Sequence, residues 1–264
     1  MAPSELRLDM RPAGEQVKLG VNAIFDQIFR GSYPAVVSGR VRDVEAFYRS
    51  YVATYLERDI RDLAQVADEG KFLDFLKVAA ARTAQLVNLS NMAQDVGISV
   101  PTAKAWLSLL EASGIVFLLH PFARNMTARV VKTPKLYFLD TGLVCYLTGW
   151  VSGETAQKGA MAGALLETFV IDEIVKKYWN NGKEPRLSFY RDRTGTEIDL
   201  LIEQAMTLHP VEIKKTAMPG DYDLRNFAKV EKMGITLGTG MVICFVDAAR
   251  PISRTTMAVP VAEL

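Results

Sequence analysis

Residues Leu187 to Lys214 read LSFYRDRTGTEIDLLIEQAMTLHPVEIK. The stretch predicts three short strands, Leu187–Arg191, Thr196–Glu203 and Leu208–Lys214. Ile198, Leu200 and Ile202 alternate with Asp199 and Glu203, while Leu201 breaks the pattern. One turn falls at Thr194-Gly195 and a second follows Glu203. Turns this short join antiparallel neighbours.

Side chains two apart on a strand share a face and sit roughly 6.5 Å apart. Glu212 and Lys214 therefore point one way, and Val211 and Ile213 the other. If the neighbouring strand pairs in register, Asp199 joins them. Carboxylate oxygens are natural ligands of Mg²⁺ or Mn²⁺. A lysine beside them orients a water or stabilises charge on a phosphate. The same residue types also suit a solvated strand face, so spacing alone leaves both readings open.

The pattern resembles the PD-(D/E)XK nuclease superfamily. The resemblance implies a core of helix, three antiparallel strands, helix and strand. An acidic residue lies on the second strand and E-x-K on the third, here Asp199 and Glu212-Ile213-Lys214. It also implies a glutamate on the first helix, for which Glu167 in the helical stretch Met161–Trp179 is the candidate. The match covers about residues 160–247.

The composition, 49% hydrophobic and 23% charged, is that of a globular protein. A net charge of +1 provides no global attraction for nucleic acid, so any such contact must be local. Cys145 and Cys244 stand far apart in apolar surroundings and read as reduced core residues, which favours a cytoplasmic setting. His120 and His209 are isolated and read as structural. No run approaches a membrane span.

Residues 1–40 read as a polar tail followed by a short helix, Val21–Phe29, and a turn at Gly31-Ser32-Tyr33-Pro34. Val41–Val66 carries the strongest helical periodicity, through Val44, Phe47, Tyr51 and Tyr55. Its end, Glu57 to Asp62, alternates in charge and suits either a solvated face or a docking surface. After the helix Phe72–Arg82, Leu89–Val96 and Val100–Glu111 flank Gly97-Ile98-Ser99. Ser99 is placed to cap the second helix, and Pro101 falls in its first turn. This is helix-turn-helix spacing. Ile115–Leu119 and Lys135–Leu139 would form the hairpin of a winged helix.

Between Gly114 and Asp140 there are no acidic residues, while Arg124, Arg129, Lys132 and Lys135 are basic. Such a wing suits phosphate contacts, with Lys104 on the second helix facing duplex DNA. A protein-docking module remains the alternative. Residues 41–147 thus read as a helical and winged-helix domain, 148–163 as a glycine-bearing linker, and 164–264 as the nuclease-like domain. The fold class is α+β.

The order of parts resembles the C-terminal region of certain prokaryotic AAA-type ATPases. The likeness runs through Phe47-Tyr48-Arg49-Ser50-Tyr51-Val52, Tyr55-Leu56-Glu57-Arg58-Asp59-Ile60, Gly97-Ile98-Ser99 and Lys132 to Leu143. It continues through Gly163-Ala164-Leu165-Leu166-Glu167, Tyr190 to Asp199 and Glu212-Ile213-Lys214. The family's ATPase domain precedes this region, and nothing here matches G-x-x-x-x-G-K-[ST], so no ATP site is carried over. The resemblance implies the C-terminal portion of an ATPase, with that domain as the missing partner.

Two functions stay open. In one, Asp199 and Glu212 bind Mg²⁺ or Mn²⁺, Lys214 positions the attacking water and Glu167 supports the site. In the other, the domain is an inactive relative that binds nucleic acid or protein.

Overall fold

The computed structural model describes residues 19–55, 68–122, 131–232 and 234–264. It is a mixed α+β structure, with a helical N-terminal part and a mixed sheet in the C-terminal part. The chain divides into two compact units. The first comprises Phe25–Leu118 and Lys135–Phe169, and the second is chiefly Leu119–Pro134 and Val170–Leu264.

The N-terminal helices are α1 (Val21–Arg30), α2 (Pro34–Val37), α3 (Val44–Tyr55) and α4 (Glu69–Ala81). The helix expected over Val41–Val66 is seen as α3. Its charged end, Glu57 to Asp62, lies outside the described residues. A two-residue strand, β1 (Gln85–Leu86), precedes helix α5 (Leu89–Val96) and helix α6 (Val100–Ala112). Asn88 caps α5, its side chain accepting the Asn91 N–H at 3.0 Å. Gly97 ends that helix with φ of 70°, a left-handed conformation that glycine adopts without strain. Ser99 caps α6, accepting the Thr102 N–H at 3.1 Å. Helix α6 buries Ala103, Trp106, Leu107 and Leu110, and exposes Lys104 and Ser108. Phe72 and Phe75 of α4 meet the Trp106 ring edge-on, at centroid separations of 5.2 and 5.6 Å. Strands β2 (Val116–Leu119) and β3 (Lys135–Phe138) share a sheet with β1 in the order β1-β3-β2.

A buried carboxylate ties this unit together. Asp140 caps helix α7 (Thr141–Leu147), its Oδ1 accepting the Leu143 N–H at 2.7 Å and the Tyr48 hydroxyl at 2.6 Å. Its Oδ2 accepts the Ser32 N–H at 2.7 Å. The Tyr48 hydroxyl lies so near the chain that a Cβ on Gly31 or Gly142 would come within 2.0 or 2.3 Å of it. Those approaches explain both glycines. Burial, followed by the Asp140 carboxylate, pushes the Tyr48 phenol far above its ordinary pKa.

The stretch 148–163, expected as a linker, is partly helical. Helix α8 (Gly153–Lys158) starts at a Ser152/Thr155 capping box, and helix α9 (Ala162–Asn180) follows. Local capping outweighs the glycine content there. The division between units falls inside α9.

The second unit holds a six-stranded sheet. Its strands are β4 (Leu187–Arg191), β5 (Glu197–Gln204), β6 (Thr207–Ile213), β7 (Gly240–Cys244), β8 (Arg250–Pro251) and β9 (Thr256–Pro260). The order is β4-β5-β6-β7-β9-β8. The first three are antiparallel, as the short turns predict. β7 and β9 then add in parallel, and every residue of β7 is buried. Strands β8 and β9 were not among the sequence expectations. Helix α10 (Arg225–Lys232) packs Phe227 and Val230 against Tyr190, Ile198 and Leu201. Cys145 and Cys244 are free, buried thiols, and burial pushes Cys145 up to about 12.

Candidate functional site

Asp199 reaches its position through a β-bulge. Ser188 pairs with Leu201 and Tyr190 with Ile198, so Asp199 and Leu200 together stand opposite Phe189. A bulge of this kind re-aims a side chain and ends local pairing. On the other edge of β5, the β5–β6 register runs from Gln204↔Thr207 to Leu200↔Val211. One further step sets Asp199 opposite Glu212. There the carboxylate takes over from the backbone ladder, as Asp199 Oδ2 accepts the Ile213 N–H at 2.9 Å.

Glu212 is buried on β6 and pairs in register with Val242 of the parallel strand β7. Lys214 follows the strand, its N–H donating to the Ile243 carbonyl at 3.0 Å. The Lys214 ammonium sits 2.6 Å from Glu212 Oε1, with 40% of its side chain exposed. Burial works against this charge, but Glu212, then Asp199 and Asp223, outweigh it and raise the lysine's pKa. Lys214 is therefore an ammonium at neutral pH. Asp223 is a carboxylate that spacing did not single out. It lies on the 3₁₀ turn Asp221–Leu224, where its Oδ2 accepts the Gly220 N–H at 3.0 Å.

The structure thus brings Asp199, Glu212 and Lys214 together. Glu167 belongs to the first unit. There its Oε1 accepts from Lys135 Nζ at 2.8 Å and from the Tyr137 hydroxyl at 2.6 Å. Lys135 corrects an expectation. Instead of facing phosphates it is 3% exposed and ion-paired with Glu167. Its place on β3, whose residues are all buried, removes it from any basic surface. Lys104 is exposed on α6, and Lys132 is exposed as well. Arg124 and Arg129 lie outside the described residues. His209 is structural, its Nδ1 lying 3.0 Å from the Thr239 carbonyl.

Among the described residues, no three His, Cys, Asp or Glu side chains gather as a metal site. Magnesium is commonly held by one or two carboxylates, with waters and substrate phosphates completing its shell. Asp199 and Glu212 meet that smaller requirement. No helix among the described residues is long and apolar enough to cross a membrane.

Two family models match the chain. One, a domain of unknown function named DUF8612, covers residues 21–154, and another, DUF4143, also of unknown function, covers residues 162–264. Relatives include the uncharacterized proteins Rv2008c of Mycobacterium tuberculosis and Mb2031c of Mycobacterium bovis. Each is 26% identical over 236 residues, which is 89% of this chain and 52% of the relative. The chain therefore spans about half the length of the curated relatives it matches. The crystal structure of protein VC1899 from Vibrio cholerae aligns with 95% of this chain and 61% of its own, at 14% identity. Its TM-score is 0.22, too slight a likeness to carry the fold. Through residues 21–154, half of its length, the chain belongs to the DUF8612 family.

Proposed function

We propose that this chain is the C-terminal portion of an AAA-type ATPase, carrying a divalent-cation-dependent nuclease-like centre of the PD-(D/E)XK kind and a winged-helix module for duplex DNA. The observation that carries the reading is the Asp199 carboxylate, hydrogen-bonded at 2.9 Å to the backbone between Glu212 and Lys214. It sets two carboxylates and an ammonium at one end of a mixed sheet. The ATPase context is supported by relatives of whose length the matched region is about half, and by the common pairing of DUF4143 with AAA ATPases. The absent G-x-x-x-x-G-K-[ST] motif leaves ATP to other residues.

In this reading Asp199 and Glu212 hold Mg²⁺ or Mn²⁺. When bound, the ion supplies Lewis-acid polarisation of a phosphoryl oxygen and a more acidic water. Lys214, whose ammonium lies 2.6 Å from Glu212 Oε1, is placed to donate hydrogen bonds to a water or a phosphate oxygen and to offset developing negative charge. Asp199 is fixed by the Ile213 N–H through one oxygen, which limits the rotation of its carboxylate.

A second reading, a non-catalytic nucleic-acid- or protein-binding module, is favoured by Glu167. Its carboxylate is held by Lys135 and Tyr137, which leaves the supporting role implied by the superfamily resemblance unassigned. A cleavage assay on plasmid and linear duplex DNA with Mg²⁺ or Mn²⁺ separates the two. Cation-dependent cleavage that disappears in Asp199→Asn supports the first. DNA binding without cleavage supports the second.

A further inference from the structure

The basic stretch after β2 begins and ends along the outer edge of β4. The Phe122 N–H donates to the Phe189 carbonyl at 2.8 Å, and the Phe189 N–H donates to the His120 carbonyl at 3.1 Å. Pro121 therefore runs parallel beside β4. Further on, the Val131 N–H donates to the Arg191 carbonyl at 3.0 Å. Lys132 is the next residue. It consequently stands beside the end of β4, where Arg191, Asp192 and Arg193 lead into the turn. All of these residues belong to the second unit.

The charges there do not cancel. Asp192 is turned inward, 5% exposed, with its Oδ1 accepting from the Thr194 N–H, the Thr194 hydroxyl and the Thr196 N–H. Arg193 and Lys132 are both exposed. Arg191 keeps 40% of its side chain exposed while pairing with Glu197 at 3.2 Å. The register Arg191↔Glu197 puts these cations at the start of β5, two residues before Asp199. They lie at the end of the sheet that carries Asp199, Glu212 and Lys214.

We propose that Lys132, Arg191 and Arg193 form a phosphate-binding track for duplex DNA that serves the Asp199 end of the sheet. The proposal rests on the nuclease-like reading given above. Arginine forks bind phosphate oxygens in pairs, and the lysine adds a point charge. The contacts are local, because charges further apart than about 8 Å are screened at physiological salt. A chain of net charge +1 can therefore still hold a duplex here.

The test is fluorescence anisotropy of a fluorescein-labelled duplex at several salt concentrations, in EDTA. Chelation removes the cation, so failure of the metal centre leaves this measurement untouched. Lys132→Ala/Arg193→Ala should weaken binding several-fold and flatten the salt slope by about one to two units. The charge-keeping Lys132→Arg/Arg193→Lys should retain the salt slope, which separates lost charge from lost fold. An unchanged slope in the alanine variant overturns the track. So does a loss seen only with Lys104→Ala, which would put the duplex on α6. Equal competition by polyglutamate would also overturn it, since the surface would then be a general one for acidic polymers.

Discussion

The carboxylate of Asp199 closes the ladder between β5 and β6 by accepting the Ile213 N–H at 2.9 Å. One side chain thus has two duties, a structural bond and a place beside Glu212 and Lys214. The two are separable by mutation. Asp199→Asn keeps an oxygen that can accept the N–H and removes the charge. Asp199→Ala leaves the Ile213 donor without that acceptor, at a cost of about 1–3 kcal/mol. Thermal melts should show Asn close to wild type and Ala lower by several degrees. Equal melting temperatures for the two would contradict the structural duty.

Cation binding should appear as stabilisation. A ligand present at about 100 times its Kd raises the stability of the folded state by about 2.7 kcal/mol. Wild-type protein should therefore melt higher in excess Mn²⁺ than in EDTA. The increment should be absent in Asp199→Asn/Glu212→Gln. The same increment in that variant would place the bound ion elsewhere.

Buried Lys135 is ion-paired with partly buried Glu167, so the cost of breaking the pair should be large. Lys135→Met leaves the Glu167 carboxylate with the Tyr137 hydroxyl but without its cation. Removing one partner of such a pair costs about 3–5 kcal/mol. Lys132→Met, four charges' worth of sequence context notwithstanding, should change stability by no more than about 0.5 kcal/mol. Urea unfolding of the two variants checks this. Equal stabilities would mean that Lys135 is as exposed as its neighbour in sequence.

Asp192 gives a pH dependence with a definite sign. Burial pushes its carboxyl up, but hydrogen bonds from Thr194 and Thr196 outweigh this and hold the pKa below the ordinary value. A depressed folded-state pKa contributes stability that is complete above the unfolded pKa of about 3.9 and lost as pH falls through the folded value. Wild type should therefore be more stable than Asp192→Asn at neutral pH. The gap should narrow below about pH 4 as the wild-type carboxylate protonates. A gap of constant size across that range, measured by urea unfolding, would contradict the hydrogen-bonded carboxylate.

Much of the sheet was legible in the sequence, because alternation in Ile198, Leu200 and Ile202 and the turn at Thr194-Gly195 are local signals. The helix pair α5–α6 was legible for the same reason, through Ser99, Gly97 and Pro101. The bulge was not. It appears in sequence only as Leu201 breaking the alternation, and its consequence depends on β4 and β6 together. Asp223 carries no periodic signal, and its charge acts on Lys214 only through the chain's return after Gly220. Lys135 reads as a wing cation because charge along the chain carries no signal of burial. Its burial depends on Glu167, thirty-odd residues away in sequence, supplying a partner. Strands β8 and β9 are short, and β9 ends in proline, so neither stood out from loop sequence.

A working cation site at Asp199 and Glu212 would differ from an inherited outline in its chemistry. The most direct measurement is cleavage of duplex DNA by the purified chain with Mn²⁺, compared with the folded Asp199→Asn variant. Wild type should cleave, cleavage should stop on chelation, and the variant should lose at least about 100-fold, the size of effect that removing a key charge-stabilising group produces. Cleavage of equal rate in both proteins, or none in either while Mn²⁺ fails to raise the wild-type melting temperature, would contradict a working site.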